Sequence, residues 1–403
     1  MDIELQSRKI LGREVVEELK ADEEGRVTVT LEPDVGEVFD EFMKCGWTDG
    51  LPIVPPTEQR VSAMLQHCSR SPSEVLGAYP PLDAEMTVEL AAINAVMAGC
   101  APEYFPVVLA AVEAALEPAF NLREATVTTV STWPMIIVNG PVVKQLSINH
   151  GWGILGSGFR PNVTIGRTLT LCGATVGGLR PGITENKPIS TPMRHGLCIA
   201  EDDEASGLLP LHVEQGFKRE DSVVTLIEVS SPCDFRFPEA TTGATGVGWL
   251  SAIARPLAEI IATIGAGPEI GREGSKQLLM IPPFVARRLV EDGWTKNDIK
   301  HFLHENARIS RHEINRRRYH ATTSKDISEG FFKLRYTSPL VPRWVRAMIM
   351  EPDHTILNEF IPLWREPEDL AVIVGGARDV TCMGAIFPGH DHNQQIVCKK
   401  VEI

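Results

Sequence analysis

Residues 86–116, MTVELAAINAVMAGCAPEYFPVVLAAVEAAL, decide the fold class of this chain. Residues 86–97 read as an apolar helix that stops at Gly99 and Cys100. Pro102 then stands where the first turn of a second helix tolerates proline, because the missing N–H would have had no partner there. That helix runs to about Leu116 and is alanine-rich, so it belongs in a core. Short apolar strands are predicted at 125–130, 134–138, 198–200, 222–229, 277–281 and 370–374. Helices are predicted between them at 163–174, 249–264, 284–292 and 296–306. Helices alternating with short strands indicate an α/β fold, a mixed sheet flanked by helices, in two subdomains. Residues 1–35 read as a charged extension with an edge strand at 26–31, 36–240 as the main domain and 241–403 as the second subdomain. A Gly/Thr-rich break at 241–248 separates the last two. No fixed-period repeat is evident, although each half contains a small-residue helix followed by an apolar strand.

Composition narrows the function classes. The chain has 403 residues, 43% of them hydrophobic and 23% charged, with a formal net charge of −14. Such an acidic balance argues against broad nucleic-acid or anionic-membrane binding. No apolar run reaches the ~20 residues of a membrane-spanning helix, and the N-terminus lacks the basic start of a signal peptide, so a cytoplasmic protein is expected. Eight cysteines are scattered without a C-x-x-C pair, which predicts free buried thiols rather than staples or structural zinc.

Residues 45–57, CGWTDGLPIVPPT, combine an Asp-Gly turn, a short apolar run and a Pro-Pro stop. They predict a tight turn at Asp49 feeding a short buried strand, with Thr57 as N-cap of the helix that follows. Gly151, Gly153 and Gly156 satisfy G-x-G-x-x-G, but no clear strand precedes them and no acid follows at about 20 residues, which argues against a dinucleotide site. Gly156 and Gly158 with Arg160, Arg167 and the next helix start read either as an anion cradle or as a plain connection with structural ion pairs. Cys100 reads either as a thiol activated at a helix start, with Glu103 as base, or as a small buried residue in a tight helix joint. His195 and Cys198 beside Glu201, Asp202, Asp203 and Glu204 suggest proton transfer, against the alternative of a solvated turn. His212 and Glu214 read as one face of an extended segment. His390, Asp391 and His392 are metal-like in type but match no zinc pattern. The arginines from Arg308 to Arg318 read as a surface helix.

Several stretches resemble a bacterial family encoded beside, or fused to, a small selenocysteine- or cysteine-containing UGSC protein. Those stretches are 45–57, 92–104, 138–141, 164–167, 177–182, 195–204, 210–214 and 292–296, with a weaker echo at 374–377. The companion's thiol motif is missing here, and Met193 to Gly196 replace a different turn. The resemblance implies sulfur or selenium chemistry.

The residues and the resemblance together lead to an enzyme acting on a small anionic or thiol-derived substrate, forming or cleaving a carbon–sulfur or related bond as a lyase or transferase. Cys100, Glu103, His195 and Glu201 form the expected reactive set; Asp49, Asn94, Asn139, Arg160 and Arg167 are expected to bind substrate. Asp49, Asn139, Arg167 and His195 are expected to share one pocket. No cofactor or metal is expected, and a homo-oligomer is. Two alternatives stay open: a non-catalytic partner subunit of a small thiol or selenol protein, and a metal-dependent hydrolase or lyase built on His195, His212, Glu214 and residues 390–392.

Overall fold

The Thr87 hydroxyl accepts the Leu90 N–H at 3.2 Å and caps helix α3 (Val88–Ala98), which Gly99 ends with φ 91°. This helix is apolar nearly all round and buried nearly all round, as its sequence requires. The computed structural model describes residues 35–236, 246–263, 276–310, 360–379, 383–389 and 395–402. Before α3 come α1 (Val35–Cys45), α2 (Glu58–Leu65) and the hairpin of β1 (Val75–Tyr79) with β2 (Ala84–Thr87). After it, a 3-10 turn at Pro102–Tyr104 leads into α4 (Phe105–Leu116), and α5 is Arg160–Thr175.

Two four-stranded mixed sheets carry the rest. In the first, the order is β12-β5-β3-β4: β3 (Thr132–Asn139) runs parallel to β4 (Cys198–Ala200) and antiparallel to β5 (Val223–Ser230), which pairs with β12 (Val397–Lys400). In the second, the order is β10-β7-β11-β6: β7 (Gln277–Ile281) runs parallel to β10 (Leu370–Val374) and antiparallel to β11 (Met383–Phe387), which pairs with β6 (Cys233–Arg236). A short ribbon of β8 (Arg308–Ser310) and β9 (Phe360–Pro362) stands apart. The two sheets thus repeat one pattern: a central strand, a parallel neighbour on one side, an antiparallel neighbour on the other, and a fourth strand antiparallel to that neighbour. Their fourth strands are exchanged. The chain leaves β5 and enters β6 in the second sheet; it leaves β11 and enters β12 in the first.

Period-two alternation explains the layers. Trp133, Met135 and Ile137 on β3 face Leu278 and Met280 on β7 and Ala371 and Ile373 on β10, forming an apolar core between the sheets. The alternate residues, Ile136 and Val138, meet α3, α4 and α5, whereas Leu279, Ile281, Val372 and Val374 meet α6 (Gly246–Thr263), α7 (Pro283–Glu291) and α8 (Lys296–Asn306). The stacking is helix, sheet, sheet, helix. The α/β expectation is met, with two four-stranded mixed sheets where the sequence suggested a single one.

Three local expectations are corrected. Residues 125–130 do not form a strand: Leu122–Val127 is a helical turn, because Thr126 Oγ1 bonds back to Leu122 O and the buried Lys187 ammonium takes Ala125 O and Thr126 O at 2.8 and 2.7 Å. Residues 51–54 are irregular, their carbonyls Leu51 O and Pro52 O being claimed by Arg167. His212 and Glu214 lie on a one-turn helix, Leu211–Glu214, not on an extended segment. Thr57 does precede α2, but without a side-chain cap bond. Residues 1–34 of the charged N-terminal extension, residues 390–392 and the arginines from Arg311 to Arg318 lie outside the described residues; Arg308 itself is on β8, not on a helix.

Because both halves close on one interlayer core, Ile373→Ala is expected to cost about 2–5 kcal/mol. Urea unfolding curves read by circular dichroism and by tryptophan fluorescence should coincide; two separated transitions would contradict the shared core.

Candidate functional site

The carboxyl ends of β3, β4 and β10 converge on a buried carboxylate. Glu201, which follows β4 and is 2% exposed, receives four donors. Asn139 Nδ2 and Leu211 N donate to its Oε2 at 2.8 and 2.7 Å; Lys296 Nζ and Val374 N donate to its Oε1 at 2.8 and 3.3 Å. Strand polarity and the α8 N-terminus place these groups together: Asn139 ends β3, Val374 ends β10, and Lys296 opens α8 behind the reciprocal Thr295–Asp298 cap. Open sheets present ligand sites at such strand ends.

Asp203 lies two residues on, half-buried, and accepts Asn139 Nδ2 at 2.6 Å and the Gly140 N–H at 2.9 Å. Burial, then the Glu201 charge, pushes its carboxyl pKa up, against bonds from Gly140 and Asn139 and the influence of His212. Asp202 behaves oppositely. Burial alone would raise it, but His150 and Arg378 hold its carboxyl well below the usual carboxylate range; the Arg378 guanidinium is bidentate at 2.7 Å. His150 Nδ1 is 3.4 Å from Asp202 Oδ2, close enough for an ion pair but not aligned as a hydrogen bond. Lys300 on α8 pairs with Glu214.

Among the described residues, buried polar atoms without a partner concentrate here. They include Asn139 Oδ1, both ring nitrogens of the fully buried His212, and Glu214 Oε2. Each such atom costs on the order of 1–3 kcal/mol if it stays unpaired.

A second group lines the inner side of α5. Arg167 Nε and Nη2 clasp Asp49 at 2.8 and 2.7 Å, and Nη2 also reaches Leu51 O and Pro52 O. That guanidinium is occupied as a structural pin. Gly166 lets the 196–197 backbone lie against α5, since a Cβ there would stand 2.5 Å from Leu197 N. His195 itself is exposed at the end of the 3-10 turn Pro192–His195. Asn94 ties α3 to α5 by accepting Thr175 Oγ1 at 2.9 Å. Cys100 is buried, with Sγ 3.5 Å from Thr168 Oγ1. Burial pushes its thiol pKa up, against Thr168, Thr164 and Arg160, so the helix-start activation anticipated from sequence is outweighed. Arg160 donates Nε to Gly99 O at 3.0 Å, and Glu103 is exposed on its turn. The start of α5 carries no side-chain cap.

All of the expected site residues except the exposed Glu103 and His195 therefore fall into two groups. Asn139 and Glu201 share the strand-end cluster; Asp49, Arg167, Asn94, Cys100 and Arg160 line α5. The two groups are bridged: Asn162 on α5 exchanges two bonds with Asn149, whose carbonyl takes the Ala200 N–H just before Glu201. Lys296, Arg378 and His150 were not singled out from sequence as site residues. Only Lys296 had a signal, as the last residue of the stretch 292–296; Arg378 falls one residue beyond 374–377, and His150 lies in none of the stretches. Among the described residues, no group of three or more His, Cys, Asp or Glu is arranged to hold a metal ion. No described helix is long and apolar enough to cross a membrane. No protein-family model, curated protein or solved structure matches the chain.

Removing Arg167 leaves the Asp49 charge buried, so Arg167→Met is expected to cost about 3–5 kcal/mol, with part recovered in the Asp49→Leu/Arg167→Met double variant. A further penalty in the double variant would contradict the pin. Stability should also vary with pH in two senses. Asp49 and Asp202, held low, contribute above the unfolded value of about 3.9 and lose that contribution as pH falls through their folded values. Asp203, held high, contributes below about 3.9 and loses it as pH rises through its folded value. Urea midpoints against pH should show the acid-side loss reduced in Asp202→Asn and the neutral-side loss reduced in Asp203→Asn.

Proposed function

We propose that this protein is an enzyme that performs acid–base chemistry on a small anionic or thiol-derived substrate at the Glu201 cluster. The observation that carries this reading is the concentration of unpartnered buried polar atoms around a half-buried carboxyl whose pKa is raised. Native proteins pair such atoms unless a ligand or water completes them, and carboxyls tuned upward are characteristic of proton donors and acceptors. In this reading Asp203 carries the transferable proton. Asn139 orients substrate through its free side-chain oxygen, and Glu201, neutralised by Lys296, holds Asn139 in place. Arg160 at the uncapped start of α5 takes the substrate's anionic group, because its guanidinium is exposed there and the helix dipole favours negative charge. The resemblance to the UGSC-associated family supports sulfur chemistry, with carbon–sulfur bond formation or cleavage as the reaction class. Cys100, with its raised pKa, serves packing in this scheme.

A second reading is kept for one observation. Trp152 is 69% exposed beside exposed Leu155, Phe159 and Val163, and such an apolar group around a glycine-rich loop suits docking of a small thiol or selenol partner protein. Tryptophan quenching by that companion in wild type but not in Trp152→Ala would favour it.

A panel of small carboxylates, phosphates and thiols should contain a compound that stabilises the wild-type protein, by about 2.7 kcal/mol at a hundredfold excess over Kd. Thermal shifts for that compound should shrink in both Asp203→Asn and Arg160→Met. Undiminished stabilisation in both variants would put the ligand elsewhere and overturn the site assignment.

A further inference from the structure

We propose that His150 is a catalytic residue of this site: Asp202 holds the Nδ1 edge of its ring, and Nε2 meets the substrate as a base. This role rests on the acid–base reading above and adds to it the group that receives a proton.

The two ring nitrogens of His150 differ in their surroundings. Nδ1 is enclosed and lies 3.4 Å from Asp202 Oδ2, on a side chain that is 30% exposed. Nε2 is not enclosed, and among the described residues it makes no hydrogen bond. Asp202 is fitted to orient a ring rather than to exchange protons. Its side chain is 1% exposed, and Arg378 clasps both oxygens at 2.7 Å. Burial would neutralise this carboxyl, but His150 and Arg378 keep it ionised. A fixed carboxylate beside Nδ1 selects the imidazole form with its proton on Nδ1, which leaves the Nε2 lone pair free. An approach of 3.4 Å is looser than a finished hydrogen bond, as is common in catalytic pairs before a ligand tightens them.

Backbone bonds place His150 between the two groups of site residues. Its carbonyl accepts the Gly376 N–H at 2.9 Å, two residues beyond Val374, whose N–H binds Glu201. The preceding residue, Asn149, exchanges two bonds with Asn162 on α5 and receives the Ala200 N–H. His150 is thus tied on one side to the strand ends that lead into Glu201 and Asp203. On the other it is tied to the helix that Arg160 opens.

A hydroxyl or thiol of the substrate gives its proton to Nε2. The electron pair of that O–H or S–H bond stays on the substrate atom, and the ring becomes imidazolium with its Nδ1 proton still directed at Asp202. The reverse transfer restores the start, so no further reactant is needed. Asp203, whose protonated form is favoured by burial and by Glu201, remains the separate donor. Base and acid are then distinct groups beside adjacent carboxyls of opposite behaviour.

Nitrogen nuclear magnetic resonance on the full-length protein, labelled in histidine, tests the orientation. At a pH where the ring is neutral, wild-type His150 should carry its proton on Nδ1, and that preference should fall in Asp202→Asn. A proton on Nε2 in wild type, a measurement requiring no variant to fold, would overturn the proposal. Mercaptoacetate, a small thiol that is also an anion, tests the contact. It should shift the Nε2 resonance of wild-type His150; an unmoved resonance would overturn the role of His150. His150→Asn separates contact from packing, because its amide can still donate to Asp202 but offers no acceptor where Nε2 stood. Its melting temperature should stay near that of wild type while stabilisation by mercaptoacetate falls; undiminished stabilisation would also overturn the role. The acid–base reading beneath it fails on a different result, an Asp203 midpoint at or below the ordinary value of about 3.9.

Discussion

A carboxylate sealed from water is tolerated only when its lone pairs meet donors, and Glu201 meets that condition with groups from four separate segments. Desolvating such a charge costs several kcal/mol, and the Lys296 ammonium at 2.8 Å repays it only while the remaining bonds hold. The end of β3, the 210–214 turn, the end of β10 and the start of α8 are therefore fixed relative to one another by a single side chain. Two of those segments belong to the first half of the chain and two to the second. The same carboxylate that joins the halves also positions Asn139, and through it Asp203.

The exchanged strands do at the level of backbone what Glu201 does at the level of charge. Each sheet is completed by a strand that follows directly from the other sheet, so neither half can saturate its own edge. The two parallel edge strands, β4 and β10, hold equivalent places in their sheets, and their ends meet: Asp202 N donates to Val374 O at 2.8 Å. After that point the halves diverge in chemistry. The first continues into Glu201, Asp202 and Asp203, the second into Gly375 and Gly376. The first half thus supplies the acids, whereas in the second Gly375 lets the backbone pack against Ile154 and Met280.

How much of this was legible in the sequence follows from which signals are local. The strands at 134–138, 198–200, 277–281 and 370–374 and the helices at 163–174 and 296–306 were legible because period and punctuation are local properties. The helical turn at Leu122–Val127 was not, since the β-branched run Thr126, Val127 and Thr128 favours a strand until a lysine 61 residues away from Thr126 caps its carbonyls. The sheet repeat was hidden because the layers demand only apolar side chains at alternate positions, a demand that Met135, Leu278 and Ala371 satisfy equally well. In the candidate site, Asn139 and Glu201 were anticipated from turn glycines and acidic context. Arg167 carried the right chemistry for an anion, but whether an arginine is spent on a buried aspartate 118 residues away depends on tertiary contacts that no spacing encodes.

The neighbours Asp202 and Asp203 show why the cluster reads as a site rather than as internal scaffolding. Both are partly or wholly buried carboxyls in one acidic run. Asp202 is enclosed by Arg378 and His150, which hold it ionised and make it a fixed structural charge. Asp203 faces a second carboxylate instead of a guanidinium, so its protonated form is favoured. A fold selected only for stability gains nothing from that difference, because a basic partner for Asp203 would lower its cost as Arg378 lowers that of Asp202. Pushing the pKa values of adjacent acids apart is, however, what separates a proton carrier from a charge that must not move.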